Sequence, residues 1–157
     1  LTATISAIIA FVPLGFLSSK VGRKATILIG VAVMTVCYLA AFFIRIPTPL
    51  MYVVLAIIGI GWAAINVNSF PMVVEMSSGA DVGKYTGIYY TFSMAAQIST
   101  PLLSGLIIDN SSFGYLTLFP YAVIFSALSF ITMLFVKHGD SKPEKKKSLL
   151  ENFDSED

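Results

Sequence analysis

Three observations predict an all-α membrane protein with five transmembrane helices. Of 157 residues, 56% are apolar and only 12% charged, and mean hydropathy is +0.82; a soluble domain runs about 45–50% apolar and about 25% charged. Five apolar runs each come close to the roughly 20 residues that cross a bilayer as a helix. None of the five contains Asp, Glu, Lys or Arg, so every charge falls between or after them. That segregation is what lipid demands, since a charge at the bilayer centre costs about 2.5 kcal/mol at least. The same composition excludes a disordered chain, which needs low hydrophobicity and many charges. The single cysteine, Cys37, excludes a disulfide framework and a cysteine-based zinc site.

The first run covers 1–17. It lacks the basic leader of a signal peptide and other apolar runs follow it, so it reads as a membrane span. It starts at Leu1 inside apolar sequence with no initiator Met, which reads as a piece of a longer membrane protein. The second run is 25–44, ended by Pro47 and Pro49, which cannot continue a helix. The third is 50–74, the fourth 85–108 and the fifth 113–136. Short links make neighbouring spans antiparallel. From 137 to 157 the chain is polar, Lys-rich and then acidic, and the expectation is a disordered tail. Its basic stretch serves as a topology signal and, as a secondary reading, touches anionic lipid headgroups.

Orientation follows from Lys and Arg counts beside the spans. Lys20, Arg23, Lys24, Lys84, Lys137, Lys142, Lys145, Lys146 and Lys147 fall on one side, and Arg45 alone on the other. The expectation is therefore an integral multi-pass protein, in the plasma membrane, with a cytoplasmic tail and Leu1 on the outer side.

The strongest local signal joins the first two spans: Gly15-Phe16-Leu17-Ser18-Ser19-Lys20-Val21-Gly22-Arg23-Lys24. Gly15 allows close helix approach, Gly22 a left-handed turn, and Arg23 can reach a carboxylate or the carbonyls at a neighbouring helix's C-terminus. This segment resembles the loop G-x-L-x-D-R-x-G-R-[RK] of the major facilitator superfamily. Gly15, Leu17, Gly22, Arg23 and Lys24 match, Lys20 replaces Arg, and Ser19 stands where the pattern has Asp. The resemblance implies a secondary transporter. Four spans follow Ser19, which fits the second copy of the loop and implies an incomplete C-terminal six-helix half of a twelve-helix transporter, about helices eight to twelve. It also implies a conformational latch on the cytoplasmic side built from Gly15, Lys20, Gly22, Arg23, Lys24, Glu75 and Lys84, with Arg23 paired to Glu75 directly or through Lys84. The loss of Asp at Ser19 weakens that implication. Gly83-Lys84-Tyr85-Thr86-Gly87-Ile88-Tyr89-Tyr90 and Pro101-Leu102-Leu103-Ser104-Gly105 look like the eleventh helix of sugar–cation symporters of the glycoside branch.

Polar groups inside spans mark a face turned from lipid. Tyr90, Ser93, Gln97 and Ser104, extended by Thr86 and Thr100, line one side of the fourth span, and Trp62, Asn66 and Ser69 one side of the third. Asn68 falls about 160° round the helix from Asn66. Gln97, Asn66, Tyr90 and Trp62 are the candidate substrate-binding residues: amides suit hydroxyls and the indole offers a flat face. Ser69, Ser93, Thr100 and Ser104 read better as interhelical hydrogen-bonders. Gly59, Gly61, Ala63 and Val67 make a smooth packing stripe, which Gly87 and Gly105 are expected to repeat. Pro71 and Pro101 bend or loosen their spans.

No carboxylate lies inside a span, and the one histidine, His138, is in the tail. An intramembrane protease or zinc enzyme would need such groups there, so the chain reads as no enzyme, with no cofactor, no metal and no nucleic-acid partner. The expected partners are a small-molecule substrate, a coupling proton or sodium ion, the lipid bilayer and the N-terminal half of the same protein. The alternative is a transport-inactive receptor or scaffold with the same fold.

Overall fold

The computed structural model describes residues 1–44, 48–77, 81–137 and 139. These form five long helices and no strand among the described residues: α1 Thr2–Val21, α2 Arg23–Phe43, α3 Pro49–Glu75, α4 Val82–Asn110 and α5 Leu118–Phe135. A 3-10 turn, Gly114–Thr117, leads into α5. Each is long and apolar enough to span a membrane. The expected tail, apart from Lys137 and Gly139, lies outside the described residues, as do Arg45 and Pro47.

Several helices outrun the apolar stretches that predicted them. α1 continues to Val21 and α2 begins at Arg23. Lys20 and Arg23 thus sit on helical turns rather than in a loop, because a long basic side chain can extend its head towards water from a helix end. The link between α1 and α2 shrinks to one residue. Gly22 has φ 104° and ψ 147°, a region that essentially only glycine enters.

The helix α3 is the centre of the packing, with α1 on one side and α2 on the other. Its sequence dictates both contacts. Towards α1, Gly59 brings α3 against the backbone of Ala3 and the hydroxyl of Ser6, Ser6 donates a 2.9 Å hydrogen bond to the carbonyl of Ala56, and Ala63 is buried with Ala7 and Ala10. Towards α2, Gly61 and Ala64 meet Gly30 so closely that a methyl group on Gly30 would lie 2.8 Å from the Gly61 carbonyl. In lipid, where no hydrophobic force drives helices together, such close backbone approach is a main source of cohesion.

The helix α5 packs on α2. Ile27, Val31 and Met72 form a buried cluster against Phe130, Met133 and Val136. Thr35 of α2 and Ser126 of α5 share a 2.9 Å hydrogen bond. By contrast α4 touches α3 and α5 sparsely and contains no buried residue. The close packing expected at Gly87 and Gly105 is absent among the described residues: nothing lies within 4 Å of a methyl group built on either. Gly15 also proves undemanding, since a methyl there would meet Val67 at an ordinary 3.9 Å.

Candidate functional site

Two regions carry the residues singled out by sequence. The first is the basic end of the bundle, where α1 turns into α2 and where α3 and α5 finish. The single-residue turn at Gly22 fixes where Arg23 and Lys24 start α2, and the antiparallel packing of α2 on α3 brings Arg23 opposite the last residue of α3. Arg23 Nη2 lies 2.6 Å from Glu75 Oε1, with the two side chains 27% and 29% exposed. The pair is direct. Lys84 and Lys20, both exposed, make no ion pair or hydrogen bond with a described residue.

Neighbouring Lys24 points elsewhere. Its Nζ donates to the carbonyls of Leu134 at 2.9 Å and Val136 at 2.6 Å, at the C-terminus of α5. The two chemistries that the sequence offered Arg23, a carboxylate or helix-end carbonyls, are thus divided between adjacent residues. Arg23 takes the carboxylate of α3 and Lys24 the carbonyls of α5. The role of α5 was not legible in the sequence, because nothing in residues 134–136 distinguishes a capped helix end from a solvated one. Ser19 does not stand in for the Asp of the family loop: its hydroxyl donates back to the Phe16 carbonyl of its own helix, 2.7 Å away.

The second region comprises the exposed polar faces of α3 and α4. Trp62 and Asn66 share one exposed face of α3. Asn66 Nδ2 donates to the Trp62 carbonyl at 2.9 Å, and the 49%-exposed indole meets Phe11 of α1 edge-on, 6.1 Å between centroids. On α4, Gln97 Nε2 donates to Ser93 Oγ at 3.3 Å. Both stripes are therefore held within their own helices and leave their remaining polar capacity facing outward. Among the described residues no hydrogen bond joins Asn66 or Trp62 to Gln97. What joins the helices is aromatic. Phe70, one turn beyond Asn66, has its ring centroid 5.7 Å from each of Tyr89 and Tyr90, and Tyr89 and Tyr90 stand 5.3 Å apart. Phe70 was not singled out by sequence, although its place at i+8 from Trp62 was available.

The remaining polar residues differ from expectation in one respect. Ser69 and Ser104 donate to carbonyls of their own helix, Ile65 and Pro101, a local alternative open to small hydroxyls. Asn68, on the other side of α3 from Asn66, is fully buried. Its Nδ2 donates to the Ala64 carbonyl at 2.7 Å, and its Oδ1 has no hydrogen-bond partner among the described residues.

An open cavity of about 310 Å³ is lined by α2, α3, α5 and Tyr89 of α4. Ile27, Val31, Ile65, Met72, Met76 and Met133 give it apolar walls, with Ser69, Ser129 and Thr132 as the polar points. No three His, Cys, Asp or Glu side chains gather to hold a metal among the described residues.

Comparison with curated proteins finds no match. The family model of the Major Facilitator Superfamily matches residues 1–153, a stretch that includes all five helices and both regions just described. The chain therefore belongs to the Major Facilitator Superfamily, a family of membrane transporters.

Proposed function

We propose that this protein acts in secondary active transport of a small polar solute, of the sugar or glycoside class and coupled to a proton or sodium ion, by alternating access. The observation that carries the reading is the Arg23–Glu75 pair at a one-residue helix turn. Such a pair ties the ends of two helices where the family's transport cycle needs a reversible closure. In this reading the basic end is cytoplasmic, by the nine-to-one distribution of Lys and Arg, and the membrane is the plasma membrane. The exposed faces carrying Trp62 and Asn66 on α3 and Tyr90 and Gln97 on α4 contribute to the substrate site. Its other wall comes from a further set of helices, the N-terminal half and the sixth helix of this half. The unburied length of α4 supports that reading, since a helix with polar groups along one face is unsuited to lipid on every side.

The experiment compares binding with melting in the complete transporter. A site built to hydrogen-bond hydroxyls loses about 1–3 kcal/mol, roughly tenfold to a hundredfold in affinity, when one partner is removed. Gln97→Ala and Asn66→Ala are each expected to weaken binding of a glycoside panel by that amount at unchanged melting temperature. Lower melting temperatures with unchanged affinity would make both amides structural. No binding of any glycoside by the unaltered protein would remove the substrate class.

A further inference from the structure

The basic end of the bundle carries a second tie. We propose that Lys24 is a positioning residue that seats the end of α5, and with it Val136, Lys137 and Gly139, over the rim of the 310 Å³ cavity. Closure at this end would then rest on two separate contacts rather than on the ion pair alone. The proposal extends the latch reading of Arg23 and Glu75.

Three observations converge. Lys24 Nζ reaches two carbonyls at once, Leu134 and Val136, at 2.9 and 2.6 Å. The last carbonyls of a helix have no intrahelical donor and carry partial negative charge, so a cation there satisfies both needs. Val136 itself lines the cavity, together with Met133 of α5, Ile27 of α2 and Met72 and Met76 of α3. Just beyond, Gly139 adopts φ +82° against α3: a methyl on it would lie 2.6 Å from the Met72 carbonyl and 3.0 Å from Met76 Cγ. Gly139 thus lies against the same two methionines that wall the cavity. Lys24 is the second residue of α2, so one turn of that helix holds α3 through Arg23 and α5 through Lys24. The two ties differ in chemistry. The Arg23 contact is an ion pair between side chains, whereas Lys24 places its charge on the backbone oxygens of Leu134 and Val136.

The test is cysteine labelling of the full chain in nanodiscs, where both faces are open to a hydrophilic maleimide, in a Cys37→Ala background. Met133→Cys reports the cavity wall. Leu14→Cys, in the α1–α3 packing, reports general loosening. Loss of a charged hydrogen bond predicts that Lys24→Met raises labelling of Met133→Cys by about tenfold and leaves Leu14→Cys within about twofold, with Lys24→Arg restoring the slow rate. Arg23→Ala, whose contact is separate, is expected to leave Met133→Cys within about twofold. If Lys24→Met does not yield monodisperse protein, Lys24→Gln, which keeps a donor without the charge, is read in its place. Unchanged labelling at Met133→Cys overturns the proposal. So does an equal rise at Leu14→Cys, which would mean general loosening, or failure of Lys24→Arg to rescue. An equal rise with Arg23→Ala would merge the two ties into one and overturn it as well. The latch reading itself fails on a different result, an unchanged conformational balance in Arg23→Ala.

Discussion

The helices α3 and α4 are similar in length, 27 and 29 residues, and each carries glycines, an internal proline and a polar stripe. Yet α3 buries seven residues and α4 none. The difference teaches that small residues are a capacity and not a contact. Gly59 and Gly61 are spent on the backbones of α1 and α2, whereas Gly87 and Gly105 face open space. The energetics of the five-helix unit therefore reside in α3 and its two neighbours, and the chemistry offered outward resides on the free faces of α3 and α4.

The sharpest way to break this comparison is to enlarge one glycine on each helix. Overpacking a tight interface costs about 1–3 kcal/mol and sometimes more. Gly59→Leu, aimed at the Ala3 backbone, is expected at or beyond the top of that range, seen as loss of folded protein in a detergent melting series. Gly87→Leu in the same chain is expected to shift stability by about 0.5 kcal/mol at most and in the stabilising direction, since glycine is a poor helix former. Equal losses at both sites would mean that α4 is packed after all.

A smaller effect is expected at Asn68. Its Oδ1 is buried without a partner among the described residues, and an unsatisfied buried acceptor costs about 1–3 kcal/mol. Asn68→Leu, close in volume, is expected to raise the melting temperature modestly, by the equivalent of about 1 kcal/mol, or to leave it unchanged. A strongly destabilised or transport-dead variant would show that Oδ1 acquires a donor in another conformation.

The smallest effect on folding is expected at Arg23. A part-exposed ion pair contributes about 0–1 kcal/mol, so Arg23→Ala should scarcely move the melting curve. Its consequence is expected in conformational balance: faster labelling, from the basic side, of a cysteine placed where the ends of α2 and α3 meet, as distinct from Met133→Cys beside the end of α5, with altered uptake. A melting temperature that falls steeply with no change in labelling would reassign the pair to folding.

The five helices were legible because lipid leaves a coarse, strong imprint: no charge interrupts any run, and Pro47 and Pro49 punctuate the second link. Their ends were less legible. The apolar criterion stopped at Leu17 and resumed at Ala25, yet Lys20 and Arg23 are helical, since a charge on a flexible stem does not end a helix. The pairing of Arg23 with Glu75 could be read because both partners are ionic and both lie at the same end of antiparallel spans. The pairing of Lys24 with α5 could not, because its acceptors are backbone oxygens that every residue owns. Likewise the polar stripes were visible as periodicity, but periodicity does not say whether Ser69 bonds across to a neighbour or back to Ile65. That is decided by the distance to the next helix, which depends on where Gly59 and Gly61 let the backbones meet.

The one-residue link at Gly22 bears on how the chain enters a membrane. Two antiparallel spans joined by a single residue have no slack for one to insert and wait while the other threads separately. The first two helices are thereby coupled as a hairpin, with Lys20, Arg23 and Lys24 held together at its apex. A residue with a side chain at position 22 would have to adopt a backbone that costs about 1–3 kcal/mol, and it would do so at the hairpin's apex, before any of the later helices is available to compensate. The glycine therefore matters first to biogenesis, in a membrane that does not yet contain the finished bundle.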